Sequence, residues 1–172
     1  MKDKMELTTL ANWCGRYTPF VAFDESRIEI GERGLWLDIT GCSHLFGGEE
    51  KLLDDIIDRL CHIGLTARGV IADTPGSAWA LAHFGKLSSQ IIKPGSQQAA
   101  IADLPLIGLR LPTSLVEDLS KVGLRQIKSL FSIARAPLRA RFGAEVRKRL
   151  DQALGLEAEP ISPQISHSPD LV

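Results

Sequence analysis

The sequence lacks any long apolar segment. No run of eighteen apolar residues occurs anywhere in its 172 residues, so nothing in it predicts a membrane-spanning helix. Its first residues also lack an apolar core followed by a small-residue cleavage site, which argues against a secretory signal. We therefore expect a soluble, cytoplasmic protein with no membrane partner.

Cysteine and histidine are also scarce. The three cysteines, Cys14, Cys42 and Cys61, are scattered along the chain, and no pair of them has metal-ligand spacing. His44 follows Cys42 by two residues, but a metal site needs two more ligands, and the remaining histidines offer no supporting spacing. We expect reduced, mostly buried thiols, and neither a metal nor a cofactor.

Net charge is close to zero but unevenly distributed. Residues 1–109 carry 10 basic and 14 acidic side chains, residues 110–149 carry 10 and 3, and residues 150–172 carry 0 and 4. The positive excess is therefore confined to residues 110–149. A basic segment of this kind is typical of proteins that bind a nucleic-acid backbone, although a solvated helical face has the same composition.

The first hundred residues mix helix and strand patterns. Apolar residues at i, i+3, i+4 and i+7 within residues 7–14 predict a short helix, and alternation over residues 27–30 and 35–39 predicts a β-hairpin. An apolar stripe over residues 53–60 predicts a second helix, and residues 67–72 predict a strand. Thr74 as N-cap and Pro75 at the first helical position then open a helix that ends at Gly85.

After about residue 105 the pattern changes to short helices separated by glycine. Residues 112–122 and 126–132 form a helix, tight turn, helix unit around Gly123, and residues 143–154 form a last amphipathic helix that Gly155 ends. We place a domain boundary between residues 96 and 103. The predicted fold class is α+β, a helix-backed mixed sheet followed by a small all-helical region.

Two stretches stand out in the first half of the chain, RYTPFVAF at residues 16–23 and LWLDITG at 35–41. They resemble the palm domain of the Y family of DNA polymerases, which includes UmuC- and DinB-like proteins. DITGCSHLFGGEE at 38–50 and ADTPGSAWALAHFG at 72–85 are similar to the ImuB-type branch of this family. Four later stretches resemble the thumb of that branch: LPLIGLRL, VGLRQIKSL, LRARFG and LDQALG. The resemblance implies a partial palm at residues 1–100, a helix-hairpin-helix thumb at 101–156 and a Pro-rich linker or tail at 157–172.

The catalytic positions of the family are altered. Active members carry an adjacent Asp-Glu pair four and five residues before the Asp of a Leu-Asp-Val-Thr strand end. Aligning that Asp with Asp38 puts Arg33 and Gly34 at the pair. Two-metal phosphoryl transfer needs several carboxylates, and a guanidinium would repel the ions. The resemblance therefore implies no catalytic residue and no metal site; we favour Asp38 as a hydrogen-bond acceptor over a metal ligand.

The thumb differs as well, since Arg110, Leu111 and Pro112 occupy a turn that is Gly-Ile-Gly in active members, and a proline has no amide proton to donate to a phosphate. The second turn keeps its shape. The residues that we expect to follow a DNA backbone without reading sequence are Lys121, Gly123, Arg125, Lys128, Arg139, Arg141, Arg147 and Lys148. Taken singly, each cation has the alternative of a solvated surface charge.

The function implied by the resemblance is that of a non-catalytic DNA-repair factor in translesion synthesis and damage-induced mutagenesis, an adaptor that binds DNA and recruits a separate, active polymerase. Its partners would be DNA, an ImuA-type RecA-like protein, a C-family DNA polymerase, and the sliding clamp, the last through a segment outside this sequence. Two alternatives remain: an error-prone Y-family polymerase, and a bare helix-hairpin-helix DNA-binding module. Arg33 and Gly34 argue against the first, and the palm-like residues 1–100 argue against the second.

Overall fold

The structure, a computed structural model, describes residues 2–24, 34–161 and 165–166. Its contacts divide the chain into two compact units, Met1–Leu52 with Pro160–Val172, and Leu53–Glu159. Both strands and helices are present, so the predicted α+β class is confirmed. The functional boundaries at residues 100 and 156 stay a prediction, because a division by contacts does not test them.

The first unit contains helix α1 (Lys2–Cys14) and a three-stranded antiparallel sheet. Its strands are β1 (Phe20–Asp24), β2 (Gly34–Leu37) and β5 (Ile165–Ser166), in the order β2-β1-β5. The alternation at residues 35–37 correctly predicts β2, which pairs with β1 in the register Val21 to Leu37. The strand predicted at residues 27–30 lies outside the described residues. Strand β5 lies in the tail, for which the sequence predicted an extended linker.

A tyrosine and a threonine fix the turn between α1 and β1. Tyr17 is 2% exposed and packs its ring against Trp13 and Phe46, with centroids 5.6 and 5.2 Å away. The Thr18 hydroxyl donates to the Asp38 carbonyl and accepts from the Phe20 amide at 3.1 Å. Thr18 therefore connects the start of β1 to the chain leaving β2, which explains why a buried polar residue is tolerated here.

The second unit begins within helix α2 (Glu49–His62), which runs on to a β-α-β segment. Strand β3 (Gly69–Ile71) and strand β4 (Ser89–Ile91) are parallel and connected by helix α3 (Pro75–Phe84). The Leu53 Cδ1 atom lies 2.6 Å from the place where a Cβ on Gly69 would stand. A larger residue at this position would require the Leu53 side chain to move. The predicted Thr74 cap is confirmed, since its side chain accepts from the Ser77 amide.

The remaining helices follow in sequence. They are α4 (Gln97–Ile101), α5 (Thr113–Lys121), α6 (Arg135–Phe142) and α7 (Ala144–Leu154), with 3-10 turns at Leu106–Leu109 and Ile127–Leu130. The predicted helices at 112–122 and 143–154 are confirmed as α5 and α7, and Gly155 ends α7 in the left-handed conformation. No helix within the described ranges combines the length and the apolar character needed to cross a membrane.

One apolar core holds the second unit together. Its fully buried members come from α3, α4, both 3-10 turns and α5 to α7, and they include Ala80, Ile101, Leu106, Leu119, Ile127, Leu130, Leu138, Val146 and Leu150. Burying one such leucine stabilises the fold by about 1.5–3 kcal/mol, whereas an exposed ion pair contributes about 0–1 kcal/mol. Packing therefore contributes more to the positions of the helices than exposed ion pairs do.

Helices α3 and α7 meet at a close contact of small residues. A Cβ on Gly76 would stand 2.8 Å from the Cα atom of Ala153. The Thr74 hydroxyl donates to the Ala153 carbonyl at 2.8 Å, although 79 positions separate the two residues. The start of α3 is thereby fixed to the end of α7.

Candidate nucleic-acid interface

The predicted turn at Gly123 exists and ends helix α5. The helix predicted at residues 126–132 is only the 3-10 turn Ile127–Leu130, and we call α5, Gly123 and this 3-10 turn the first hairpin. Gly123 has φ +85°, and a Cβ added to it would meet nothing within 4 Å, so its backbone conformation alone calls for glycine. The Leu124 amide donates to the Leu119 carbonyl at 3.0 Å, which closes the helix end. Three predicted DNA-binding cations, Lys121, Arg125 and Lys128, flank this turn and are exposed.

A second hairpin consists of α6, Gly143 and α7. Gly143 has φ +83°, and its amide donates to the Arg139 carbonyl at 2.9 Å. The sequence pattern did not predict α6 as a separate helix, because Pro137 lies inside its first turn. The signal that was available is Leu138, an apolar residue in a stretch that also carries Arg135, Arg139 and Arg141, and it is fully buried. The hairpin carries Arg139 and Arg141 on α6 and Lys148 on α7, all exposed.

Four of the predicted cations point to solvent with no carboxylate partner among the described residues. They are Arg125, Arg139, Arg141 and Lys148. Arg141 also lies over the ring of Phe142, with its guanidinium carbon 5.4 Å from the centroid. Unpaired exposed cations are the groups that can exchange water and counterions for phosphate at the smallest cost.

Three other predicted residues are engaged within the chain. Lys121 donates to Asp118 at 2.8 Å, and Lys128 donates to Asp103 at 2.6 Å. Hydrogen bonding to Lys128 lowers the pKa of Asp103, and hydrogen bonding to Asp118 raises the pKa of Lys121. These pairs are exposed, so a phosphate has only a weak competitor there.

Arg147, the third of them, differs from the other two. Its side chain is only 19% exposed, and its Nε and Nη2 atoms approach the two oxygens of Asp151 at 3.0 and 2.7 Å. Arg147 is thus directed into the protein, onto a carboxylate that is itself 8% exposed. The signal available in the sequence was the i, i+4 spacing of Arg147 and Asp151; the residue four positions after Lys148 is the uncharged Gln152.

Pairing reduces the positive excess of the basic segment. Residues 110–149 have an excess of seven positive charges, but Asp103, Asp151 and Glu159, from outside the segment, each bind cations within it. Including these three carboxylates lowers the excess to four. The electrostatic surface is therefore weaker than composition indicates, and the unpaired cations carry most of it.

The first thumb-like turn is committed to an internal contact. Arg110 has φ +56°, the one positive value among the described non-glycine residues, and its amide donates to the Ile107 carbonyl at 2.9 Å. Its guanidinium lies 2.7 Å from Glu159 and over the ring of Trp79, 5.8 Å from the centroid. Glu159 also binds Arg149 at 3.2 Å.

Asp38 occupies the position predicted for a hydrogen-bond acceptor. It is exposed, and its Oδ1 atom accepts from the Thr40 amide at 3.0 Å. Gly34 begins β2 opposite Asp24. The Cβ atom of Asp24 lies 3.1 Å from the place where a Cβ on Gly34 would stand. Arg33 lies outside the described residues. Within the described part of the chain, no three His, Cys, Asp or Glu side chains are grouped closely enough to hold a metal ion.

The cysteines have different environments. Cys14 is buried, and burial raises the pKa of its thiol to about 11. Cys61 is exposed and Cys42 half-exposed, and all three thiols are free. The prediction of mostly buried thiols is therefore wrong for Cys61, because it lies on the solvent side of α2 near its end.

These features define an α+β chain whose helical part presents two glycine hairpins and four unpaired cations. The chain is 45% identical over 160 residues to Protein ImuB from two strains of Caulobacter vibrioides, an alignment that covers 93% of the chain. The comparison confirms the resemblance to ImuB-type proteins. The chain spans 33% of the length of these curated relatives. No family model and no solved structure matches it.

Proposed function

We propose that the chain binds the DNA backbone and serves damage-induced mutagenesis and translesion synthesis without doing polymerase chemistry itself. The observation that carries the proposal is the set of four exposed cations without a carboxylate partner among the described residues, located at or near two glycine hairpins. The likeness to Protein ImuB supports the same assignment. The second role is that of an adaptor, which brings a separate, active polymerase to damaged DNA.

The binding that we propose is independent of sequence. Arg125 lies just after a turn, Arg139 and Arg141 in the last turn of α6, and Lys148 in the middle of α7, so no single helix groups them along one groove. Cations placed in this way neutralise phosphates and release counterions, a contribution that does not depend on the bases. Affinity should therefore be modest and should fall steeply with salt.

The polymerase alternative finds little support in the palm-like region. Gly34 has no side chain to hold a metal ion, and Asp38 uses one oxygen to cap its own turn. Mg²⁺ is bound through shared carboxylate charge and gives up its waters reluctantly without it. We therefore assign any polymerase activity to a partner. An ImuA-type RecA-like protein, a C-family DNA polymerase and the sliding clamp remain the proposed partners.

DNA binding is tested with a charge-matched pair of quadruple variants. The first variant carries four changes to Ala, at Arg125, Arg139, Arg141 and Lys148. The control also carries four changes to Ala, at the exposed residues Arg16, Lys51, Lys86 and Lys93. Each variant is titrated with duplex DNA by fluorescence anisotropy at several salt concentrations. The logarithm of the association constant falls as the logarithm of the salt concentration rises, and each lost phosphate contact should make this fall less steep by about 0.9.

The two variants should separate clearly. We expect the first to lose most of its affinity and salt dependence, and the control to keep both, since it removes the same charge from other elements. Equal loss in both variants would reduce the effect to net charge and contradict the assigned surface. The adaptor role is tested by mixing the chain with purified C-family polymerase and a primed, damaged template; no gain in polymerase recruitment would count against it.

A further inference from the structure

A buried carboxylate lies between the two helices of the second hairpin. Asp151, on α7, is 8% exposed and is approached by two guanidinium groups. Arg147, one turn earlier on α7, contacts both of its oxygens, and Arg135, the first residue of α6, lies 3.5 Å from Oδ2. Asp151 is therefore shared by both helices.

The location of this cluster matters for the hairpin. Gly143 connects the end of α6 to the start of α7, whereas Arg135 begins α6 and Asp151 lies in the last turns of α7. Through Arg135, whose own side chain is 68% exposed, the ion cluster connects the two helices at the end of the hairpin opposite its turn. The Asp151 carbonyl also accepts from the Leu156 amide at 2.8 Å, so the same residue helps to end α7.

The exposed cations lie between these two connections. Arg139 and Arg141 follow Arg135 on α6, and Lys148 follows Arg147 on α7. A hairpin fixed at both ends holds cations on its two helices at a set separation, which lowers the ordering cost when phosphates bind.

We infer that Arg147 is a positioning residue, which acts through Asp151 and Arg135 to set the spacing of the cations on α6 and α7, and that it is not itself a phosphate contact. The inference rests on the proposed DNA binding. It corrects the simplest interpretation of the basic segment, in which Arg147 is equivalent to Lys148.

The test compares Arg147→Met, the double variant Arg147→Met with Asp151→Leu, and Lys148→Ala. Removing one partner of a buried ion pair leaves an uncompensated charge, whereas replacing both with apolar groups of similar size is often neutral. We expect Arg147→Met to weaken DNA binding about tenfold, equivalent to about 1.4 kcal/mol, with the salt slope unchanged. The double variant should recover most of that affinity.

Lys148→Ala should behave in the opposite way, with a salt slope reduced by about 0.9. Hydrogen exchange provides a measurement without DNA. The amides of α6 should exchange faster in Arg147→Met than in the unmodified chain, and at the unmodified rate in Lys148→Ala and in the double variant. A melting curve for each variant confirms that the rest of the chain stays folded.

The outcomes separate the two proposals. A reduced salt slope in Arg147→Met, with no recovery in the double variant, would make Arg147 a phosphate contact and overturn the inference. Unchanged α6 exchange in Arg147→Met would also overturn it, while leaving DNA binding by the unmodified chain intact. If the unmodified chain binds no DNA at any salt concentration, the proposed function fails, and the positioning role fails with it.

Discussion

Arg110 combines a strained backbone with a partly buried ion pair, and substitution can separate the two effects. At φ +56° a side chain costs about 1–2 kcal/mol relative to glycine. The Arg110 and Glu159 side chains are 15% and 13% exposed, so their pair is largely withdrawn from water. Arg110→Ala keeps the strain and loses the pair; Arg110→Gly loses both.

The magnitudes follow from these contacts. Breaking a fully buried pair costs about 3–5 kcal/mol, but Glu159 keeps Arg149 at 3.2 Å in either variant. We expect Arg110→Ala to lower the free energy of unfolding by about 2 kcal/mol. Arg110→Gly should be about 1 kcal/mol more stable than Arg110→Ala, because the relieved strain is partly offset by the freedom of glycine in the unfolded chain.

Urea unfolding followed by far-UV circular dichroism measures these differences, provided that the dependence on urea stays constant among variants. Gly123→Ala is the matched control: it imposes the same backbone penalty, about 1 kcal/mol, at a position with nothing within 4 Å. If the glycine and alanine variants of Arg110 are equally stable while Gly123→Ala is destabilised, the assigned strain at Arg110 is refuted.

Three further predictions concern other parts of the chain. Gly76→Ala should lower the free energy of unfolding by about 2–3 kcal/mol, since its Cβ would overlap α7 at 2.8 Å. Gly108→Ala, whose Cβ would have its nearest atom 3.5 Å away, should change the free energy of unfolding little, and urea titration of both variants distinguishes them. Burial raises the pKa of Cys14 to about 11, from an ordinary 9.0, so the free energy of unfolding should be full below pH 9 and fall as the pH rises towards 11. An alkylating reagent at pH 8 should label Cys61 and spare Cys14, and rapid labelling of Cys14 would contradict its burial. Asp38→Asn keeps an oxygen acceptor for its turn and should leave the free energy of unfolding within about 0.5 kcal/mol of that of the unmodified chain. Neither form should extend a primer with Mg²⁺ or Mn²⁺; primer extension by the unmodified chain that disappears in the variant would favour the polymerase alternative.

Local signals in the sequence were sufficient for most elements. The Thr74 cap, the Pro75 helix start and the Gly155 stop act within a few residues, so each is readable without the fold, and each is confirmed. Helix α6 was missed because Pro137 obscures its pattern, and β4 and α4 because three and five residues are too few to show a periodic pattern. Strand β5 was missed because a two-residue strand exists only through its pairing with β1. Such pairing is not encoded locally.

The candidate interface was predictable in outline but not in detail. Composition identified residues 110–149, and the turn at Gly123 follows from its neighbours. Which cations are free depends on carboxylates distant in sequence, such as Asp103 for Lys128 and Glu159 for Arg110. The i, i+4 spacing of Arg147 and Asp151 predicts an ion pair on α7, but the burial of that pair depends on how α7 packs.

The contact between Thr74 and Ala153 has a consequence for synthesis of the chain. The residues are 79 positions apart, so at roughly 5–20 residues per second the ribosome needs about 4–16 seconds to make the second after the first. During that interval α3 has no α7 to pack against, and its Ala80 and Leu81 side chains lack the core partners that α7 supplies, Val146 and Leu150. Delays in translating this stretch should therefore increase capture of the nascent chain by chaperones, or its aggregation.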